Sequence, residues 1–415
     1  MRSRPLLAVL LAVPALTLPA ASPASAADPG GSIVYVHDDD VWLARGDGSG
    51  QYQVTFDGTP HTPYTSPSQS DTGVIVVGHG PHLIRMTQNG TVLSRLDPGP
   101  LTNSVSHPVD GPIIHAAVSP DGQLAAYTLG GWECPIGASC GYRTVTAITR
   151  TDRLTPPSTY GTTFLEAPSW VGNTRTLQSG GFLEQINLAD LGQAAVHWFD
   201  DQDVAEPPTT DLGDAELSPD GRWLAAVRGY DESTHITWYA VAGDARSGPV
   251  PEAPDWICQT GELGGLADPT WSPDSTTMAW QEPDGIWVKS NPADCEVPQP
   301  RLLIAGGSEP DWSAAPLAPA VRTFTVTKRP TVGGVARVGK RLKARAGAWA
   351  PAPGSVRYQW LRNGRAIRKA TKPSYRLVRA DVRKRISVRV TAAAPGRADA
   401  TATSKATKPV KKKRR

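Results

Sequence analysis

One phrase recurs along the chain and narrows the folds open to it. Ser119-Pro120-Asp121-Gly122 leads into Gln123-Leu124-Ala125-Ala126-Tyr127, and Ser218-Pro219-Asp220-Gly221 leads into Arg222-Trp223-Leu224-Ala225-Ala226-Val227. Trp271-Ser272-Pro273-Asp274 leads into Ser275-Thr276-Thr277-Met278-Ala279-Trp280. Pro presets φ at the second turn position, Asp bonds its own backbone, and Gly accepts a positive φ. Each turn is followed by an apolar run of strand length without polar alternation, the mark of a strand buried on both faces, as an inner blade strand is. Eroded copies are Ser66-Pro67-Ser68 ahead of Val74-Ile75-Val76-Val77, the stretch Trp170-Val171-Gly172-Asn173-Thr174-Arg175-Thr176-Leu177, and Asp311-Trp312-Ser313. With Ser66, Ser119, Val171, Ser218, Ser272 and Ser313 as matching positions, the steps are 53, 52, 47, 54 and 41 residues. A period of roughly 40–50 residues suits a four-stranded propeller blade. Six starts predict six blades.

Between these turns lie further strand phrases. Asp40-Val41-Trp42-Leu43 and Gly285-Ile286-Trp287-Val288 each run on to a turn and another strand. Asn89-Gly90, between His82-Leu83-Ile84-Arg85 and Thr91-Val92-Leu93, is a two-residue hairpin signal. The last repeat stops after Ser313, and Gly31-Ser32-Ile33-Val34-Tyr35-Val36 begins where it should continue. One blade is therefore expected to be built from both ends of the propeller, which closes the ring and removes a free sheet edge. Trp170, Trp271 and Trp312 share a repeat position and predict packing between blades. Trp132, Trp198, Trp238 and Trp256 do not share it, and any of them on a loop can stack on a sugar or a peptide side chain.

The repeat resembles that of TolB-like proteins and of the propeller in prolyl-oligopeptidase-type proteases, over about residues 31–313. The resemblance implies the fold, and for TolB a non-catalytic periplasmic binding module. Only a few residues separate the predicted cleavage point from Ile33, so the amino-terminal α/β domain of that family is not expected, nor a direct role in the Tol–Pal system.

Export follows from the first residues. Arg2 and Arg4 precede the apolar stretch Leu6–Leu18, and Ala24-Ser25-Ala26 supplies small residues for a signal peptidase. That stretch is shorter than the ~20 residues of a membrane span, and no later one is long enough. Cys134, Cys140, Cys258 and Cys295 are an even set in an exported chain and suggest two disulfides. Cys134 and Cys140 flank one short loop, which leaves Cys258 to pair with Cys295.

A formal net charge of +3 conceals a division. Residues 1–320 hold 14 Lys/Arg against 37 Asp/Glu, a charge of −23; residues 321–415 hold 28 against 2, a charge of +26. Such asymmetry implies two domains with different electrostatic tasks. The Pro/Ala-rich stretch 314–320 reads as a stiff linker between them. Beyond it, Val356-Arg357-Tyr358-Gln359-Trp360-Leu361-Arg362 and Ile386-Ser387-Val388-Arg389-Val390-Thr391 alternate as half-buried strands, and Asn363-Gly364 is a hairpin turn. Length and strand number suit an immunoglobulin-like sandwich with a core of Trp349, Trp360, Tyr375 and aliphatics. This segment resembles Ig-like repeats on secreted and surface proteins of high-G+C Gram-positive bacteria, on Val338-Gly339, Gly347-Ala348-Trp349, Tyr358–Gly364, Ala370-Thr371, Tyr375 and Asp381. The resemblance implies a spacer or adhesive module. Two positions depart from it: Lys369 and Arg383 stand where that family has glycine, so the turns there are expected to differ.

The fold class is thus all-β: a signal peptide over 1–26, a six-bladed β-propeller over 27–313, the linker over 314–320, an immunoglobulin-like β-sandwich over 321–404, and a disordered basic tail over 405–415. Lys411, Lys412, Lys413, Arg414 and Arg415 form a run that can contact a polyanion such as teichoic acid or anionic headgroups. No aromatic signature for specific nucleic-acid recognition accompanies it.

No catalytic constellation is legible. There is no Gly-x-Ser-x-Gly elbow, no His-Glu-x-x-His and no phosphate-binding loop. Asp38-Asp39-Asp40 is a candidate calcium or other metal site, with an acidic hairpin turn as the plainer reading. His37, His79, His82 and His115 lie near strand ends from which propeller enzymes draw channel ligands. Asp200-Asp201-Gln202-Asp203 reads as a solvated loop, and Asp121, Asp220 and Asp274 as turn residues. The expectation is a secreted or cell-wall-associated, monomeric, non-catalytic protein without cofactor. Its propeller binds a protein, peptide or glycan of the cell envelope and its basic domain contacts anionic wall polymer. The alternative is a lactonase- or lyase-type enzyme with a channel Asp/His or Ca²⁺ site.

Overall fold

The computed structural model describes residues 29–102, 108–133, 140–180, 185–204, 211–318, 323–394 and 397–413. The predicted signal peptide, Cys134, Arg414 and Arg415 lie outside these. Among the described residues no helix is long and apolar enough to cross a membrane.

Between Ser32 and Ser313 the chain forms six four-stranded antiparallel sheets. Their first strands are Tyr64–Gln69, Ile113–Val118, Glu166–Trp170, Leu212–Leu217, Ala267–Trp271 and Ser308–Ser313. Each touches the next in that order, and Ser308–Ser313 touches Tyr64–Gln69, so the six surround an axis. The ring is closed as expected. Ser308–Ser313 is the first strand of the sheet continued by Ser32–His37, with Ile33 opposite Trp312 and Val34 opposite Asp311.

The repeated phrase makes the turn between first and second strands. In the second full copy Ser218 Oγ donates to Asp220 Oδ1 (2.8 Å) and accepts the Trp223 N–H (3.0 Å), while Asp220 Oδ1 accepts the Arg222 N–H (3.0 Å). Ser119 with Asp121 and Ser272 with Asp274 repeat this pattern. Two details differ from the sequence reading. The apolar runs, such as the one beginning at Leu124, are second strands, buried between neighbouring sheets rather than innermost. In the first eroded copy the turn is made by Ser70, whose Oγ accepts the Val74 N–H (3.1 Å), with Gly73 at φ 81°. Ser66-Pro67 lies in the innermost strand instead.

Two of the tryptophans at the shared position join sheets: the Trp170 indole donates to Ala117 O (2.9 Å) and Trp271 to Glu216 O (3.1 Å). Trp312 donates instead to Gly30 O (3.0 Å), just ahead of Ser32–His37 in its own sheet. Trp271 and Trp280 are fully buried between the fourth and fifth sheets with Trp238 and Met278. Burying one apolar side chain of this kind contributes about 2–3 kcal/mol. The Cys258–Cys295 disulfide forms as expected, with Cα atoms 5.7 Å apart, and Cys140 is also disulfide-bonded.

The linker is docked rather than free. Ser32 Oγ donates to Ala315 O (2.8 Å), and Gln88 grips the chain by donating to Pro316 O (3.0 Å) and accepting the Ala318 N–H (2.6 Å).

From Phe324 onward three sheets of two, three and four strands enclose one core, including Phe324, Leu342, Trp349, Trp360, Leu377, Val388 and Val390. Arginine and lysine take the outward positions, as in Arg341–Arg345. Asp381 is fully buried. It accepts from Arg362 Nε (2.7 Å), Tyr375 Oη (3.0 Å) and the Val378 N–H (2.7 Å). Lys369 and Arg383 have φ of 60° and 63°. Both turns thus carry the left-handed backbone that glycine adopts freely.

The segment read as a disordered tail is ordered through Lys411. Thr407 N–H donates to Ile386 O (2.8 Å), Val410 N–H to Lys384 O (3.0 Å) and Lys411 N–H to Ala336 O (2.9 Å). Val410 is 2% exposed and joins the core. One apolar residue in a basic run anchors backbone that composition alone marks as unfolded.

Candidate functional site

The six first strands bring their side chains to the axis in register. At one step stand Ser66, His115, Ala167, Asp214, Asp268 and Glu309; two residues on stand Ser68, Ala117, Ser169, Glu216, Thr270 and Asp311. Each of these strands carries an irregularity in pairing near the first step. Ser66, Ala167, Asp214, Asp268 and Glu309 have φ between 42° and 51°. A left-handed non-glycine residue costs about 1–2 kcal/mol. Five of them at equivalent positions mean that the ring imposes the bulge, and bulges re-aim side chains.

The cost is offset by bonds between sheets. Asp214 Oδ2 accepts the Asp268 N–H (2.7 Å), Glu309 accepts the Ser66 N–H, and Gln281 accepts the Glu309 N–H (2.9 Å). At the second step Glu216 Oε1 accepts from Thr270 Oγ1 (3.0 Å) and the Trp271 N–H (3.2 Å), Thr270 Oγ1 accepts the Trp312 N–H (3.1 Å), and Asp311 Oδ2 accepts the Gln69 N–H (2.6 Å). Side chains of one sheet thus take up backbone donors of the next.

Two cavities share the first step. One of about 440 Å³ opens toward the Ser-Pro-Asp turns and includes Glu216 and Asp311. The other, about 370 Å³, opens at the opposite end past Glu166 and Tyr230. Asp214, Asp268, Glu309 and His115 line both. At the two steps described the acidic residues come from three consecutive strands, so one side is acidic there and the side formed by Ser66, His115 and Ala167 is not; Glu166 stands nearer the second mouth. Arg246 is the one lysine or arginine among the described lining residues, and its guanidinium donates to Asp244 (3.1 Å) and Pro219 O (3.3 Å).

Burial and crowding shift these groups. Burial, and then the charge of Asp311, raises Glu216 well above the usual range. Burial, and then Asp214 and Glu309, does the same to Asp268. Burial also raises Asp214 and Glu309, and pushes Asp311 up to about 6. His115 is pushed down to about 4 by burial and is neutral at pH 7. Asp268 has no hydrogen-bond donor to its carboxylate among the described residues.

The residues singled out from sequence are dispersed. Asp38 and Asp39 have φ of 50° and 65° and form the hairpin turn between Ser32–His37 and Asp40–Arg45. Asp40 is buried and accepts from Thr55 Oγ1 (2.7 Å), Gln53 Nε2 (2.9 Å) and the Gly58 N–H (3.0 Å). The three do not converge on a metal position. His37 bonds Gly306 O, His79 stacks on Tyr64 at 4.2 Å, and His82 bonds Arg95; only His115 of the four lines the channel. Asp200 to Asp203 is not an open loop. Asp201–Val204 is helical, Asp200 is buried, and its carboxylate accepts the Gln202 N–H (2.8 Å). His197, Asp200 and Asp203 are the one described set of three ligand atoms within 4.8 Å of one another. The channel carboxylates form no such set. Trp132 is exposed, Trp256 half-exposed, and Trp198 and Trp238 buried. Lys411, Lys412 and Lys413 are exposed beside Arg337, which donates to Lys412 O (3.4 Å).

The channel acids were missed because each reads as an ordinary residue at a strand start. A signal existed: Ser66-Pro67, Ala167-Pro168, Asp268-Pro269 and Glu309-Pro310 recur at matching distances ahead of the turn.

No protein-family model matches the chain, and no curated protein sequence matches it. Solved structures similar to it include TolB from Acinetobacter baumannii, at 15% identity over 70% of this chain and 68% of that one, with a TM-score of 0.42. They also include the putative TolB of Agrobacterium tumefaciens, at 14% identity over 69% and 93% with a TM-score of 0.42. A periplasmic gluconolactonase of Pseudomonas aeruginosa matches at 10% identity over 90% and 98%, again with a TM-score of 0.42. The six four-stranded sheets about one axis are themselves what makes the chain an all-β protein of β-propeller type.

Proposed function

We propose that this is an exported, non-catalytic binding protein of the cell envelope, a six-bladed propeller joined to an immunoglobulin-like domain. The propeller channel takes part of a protein, peptide or glycan, and the basic domain holds the molecule against anionic wall polymer. The observation that carries this is the separation of charge. The acidic half lines a channel with its carboxylates, and the C-terminal domain exposes its cations while both of its carboxylates are paired, Asp381 with Arg362 and Asp399 with Arg357. Exposed cations attract a polyanion at a range set by salt. Removing residues 321–415 from the mature protein is expected to abolish retention on isolated cell walls, and raising salt to release the intact protein. Unchanged retention after the deletion overturns the wall-binding half.

A second reading is a channel enzyme of lactonase or lyase type. Raised carboxylates across the channel from a neutral histidine support it, because shifted groups in a cleft are candidates for proton transfer. A calcium-dependent form has less support. Ca²⁺ takes about six to eight oxygen ligands, and the channel acids are spread beyond a single coordination shell. Turnover of lactones or polyuronides that disappears in Asp268→Asn would replace the binding reading with this one.

A further inference from the structure

We propose that the channel end lined by Asp214, Asp268, Glu309 and Ser179 binds an ammonium or guanidinium group, the side chain of a lysine or arginine in a partner peptide. This rests on the binding reading above and names its ligand chemistry.

Three observations carry it. First, Asp268 lies between two other carboxylates and receives no hydrogen bond from the described residues, whereas Asp214 and Glu309 each satisfy one backbone N–H. A carboxylate held in that company gains most from a cation that donates to it directly. Second, Ser179 is 2% exposed, lines the same cavity opposite Glu166 in strand register, and its Oγ has no hydrogen-bond partner. A buried hydroxyl left unpaired is unfavourable, and a donor entering beside it removes that cost. Third, no lysine or arginine lines this cavity among the described residues, and the Arg228 guanidinium beside it is paired with Asp211 (3.4 Å).

Geometry selects an organic cation over a metal. No three channel ligand atoms fall within 4.8 Å of one another. An ammonium, its N–H bonds near the tetrahedral angle, needs only two acceptors and joins ones about 4.6 Å apart over bonds of about 2.8 Å, and a guanidinium, with five donors in a plane, reaches further. The opposite wall, Ser66, Ala167 and neutral His115, repels neither the charge nor an alkyl stem. A peptide carrying such a side chain also finds a docking surface at this end. The strands Leu124–Glu133 and Gly141–Arg150, ten residues each, form a hairpin that bears Trp132, 73% exposed, in edge contact with Tyr142 at 5.9 Å. Tyr142 is close enough to Glu166 to be raised by its charge, after burial.

The test titrates the full mature protein with acetyl-Gly-Lys-Gly-amide, acetyl-Gly-Arg-Gly-amide, the Nε-acetyl-lysine version of the first, and CaCl₂, by calorimetry. At least one basic peptide is expected to bind, with the acetylated peptide at least tenfold weaker. Asp268→Asn should weaken the basic peptide at least tenfold, and Ser179→Ala about threefold. Asn keeps the Asp268 N–H bond to Asp214 and tolerates the left-handed backbone, so the variant folds; Asp214→Asn provides a second variant of the same acidic wall. Equal binding of acetylated and free lysine peptides overturns the proposal but leaves a peptide-binding channel. Binding of Ca²⁺ that depends on Asp268, or no peptide binding at all, also overturns it. A protein that fails these peptides yet still captures envelope polymer through its propeller separates failure of this proposal from failure of the binding reading.

Discussion

Around the propeller axis Asp214, Glu216, Asp268, Glu309 and Asp311 stand together with Arg246 as the only described cation in the lining. In the C-terminal domain Asp381 is enclosed by Arg362, Tyr375 and the Val378 N–H. Both regions hide acid, and the surroundings decide what that does. In the C-terminal domain every donor points at the carboxylate, and the charge organises the fold. In the propeller the backbone takes one oxygen here and there, and like charges oppose one another. The first arrangement is finished, whereas the second gains stability by acquiring a proton or a ligand.

The largest effect should come from breaking the finished one. Asp381→Ala leaves the Arg362 guanidinium, the Tyr375 hydroxyl and a buried N–H without an acceptor. Loss of one partner from a buried pair costs about 3–5 kcal/mol, and because Arg362 is 30% exposed at its side chain the lower figure applies. Calorimetry should show the C-terminal domain melting much earlier while the propeller transition stays in place. A shift of both transitions would mean that the two regions fold as one unit.

Next in size is the pH response of the propeller, opposite in sign to that of an ion-paired domain. A carboxylate raised in the folded state binds its proton more tightly there than in the unfolded chain. This contribution is therefore full below the unfolded value and is lost as pH climbs from there through the raised one. For Asp311 this window runs from 3.8 to about 6, and Glu216 and Asp268, raised well above normal, extend it upward. The loss for Asp311 is on the order of 2 kcal/mol, allowing for the part of the group open to the channel. The propeller should melt at a higher temperature at pH 5 than at pH 8. Asp268→Asn should raise the pH 8 value and narrow the difference. A melting temperature that rises from pH 5 to pH 8 would show the acids to be neutralised by groups outside the described lining.

These regions also differ in how far the sequence discloses them. The Ser-Pro-Asp-Gly turns were legible because their side-chain chemistry closes within six residues: the Ser218 hydroxyl and the Asp220 carboxylate bond nothing beyond Trp223. Closure between Ser32–His37 and Ser308–Ser313 was legible because an incomplete repeat at one end matched a spare strand at the other. The acidic channel was not, because Asp214 and Glu309 become neighbours only once the ring places their strands about the axis. Reading Ser66-Pro67 as a turn concealed the clue, since that Pro shares its step with Pro269 and Pro310. The tail was misread for a similar reason. Val410 sits alone among lysines, and its burial depends on a groove built from Ala336, Lys384 and Ile386, distant in the chain.

The smallest effect concerns backbone alone, and it sharpens the contrast between the two regions. Left-handed non-glycine residues occur in both: Asp214, Asp268 and Glu309 in the channel, Lys369 and Arg383 in the C-terminal domain. In the channel the strained residue also lines the cavity, so a glycine there removes a wall group along with the strain. Lys369 and Arg383 are exposed, so strain is nearly all that a glycine would change. Relief of about 1–2 kcal/mol per residue is partly cancelled by the larger entropy of glycine in the unfolded chain, about 0.5–1 kcal/mol. Lys369→Gly and Arg383→Gly should each stabilise the C-terminal domain by about 0.5–1 kcal/mol in denaturant unfolding, with an unchanged slope. Ala167→Gly, at the one such channel position with an apolar side chain, should gain as much without disturbing peptide binding, whereas Asp268→Gly should gain stability and lose the ligand. If Lys369→Gly destabilises, the lysine side chain holds that turn through contacts of its own, and the left-handed turns of the C-terminal domain are then no freer of function than those of the channel.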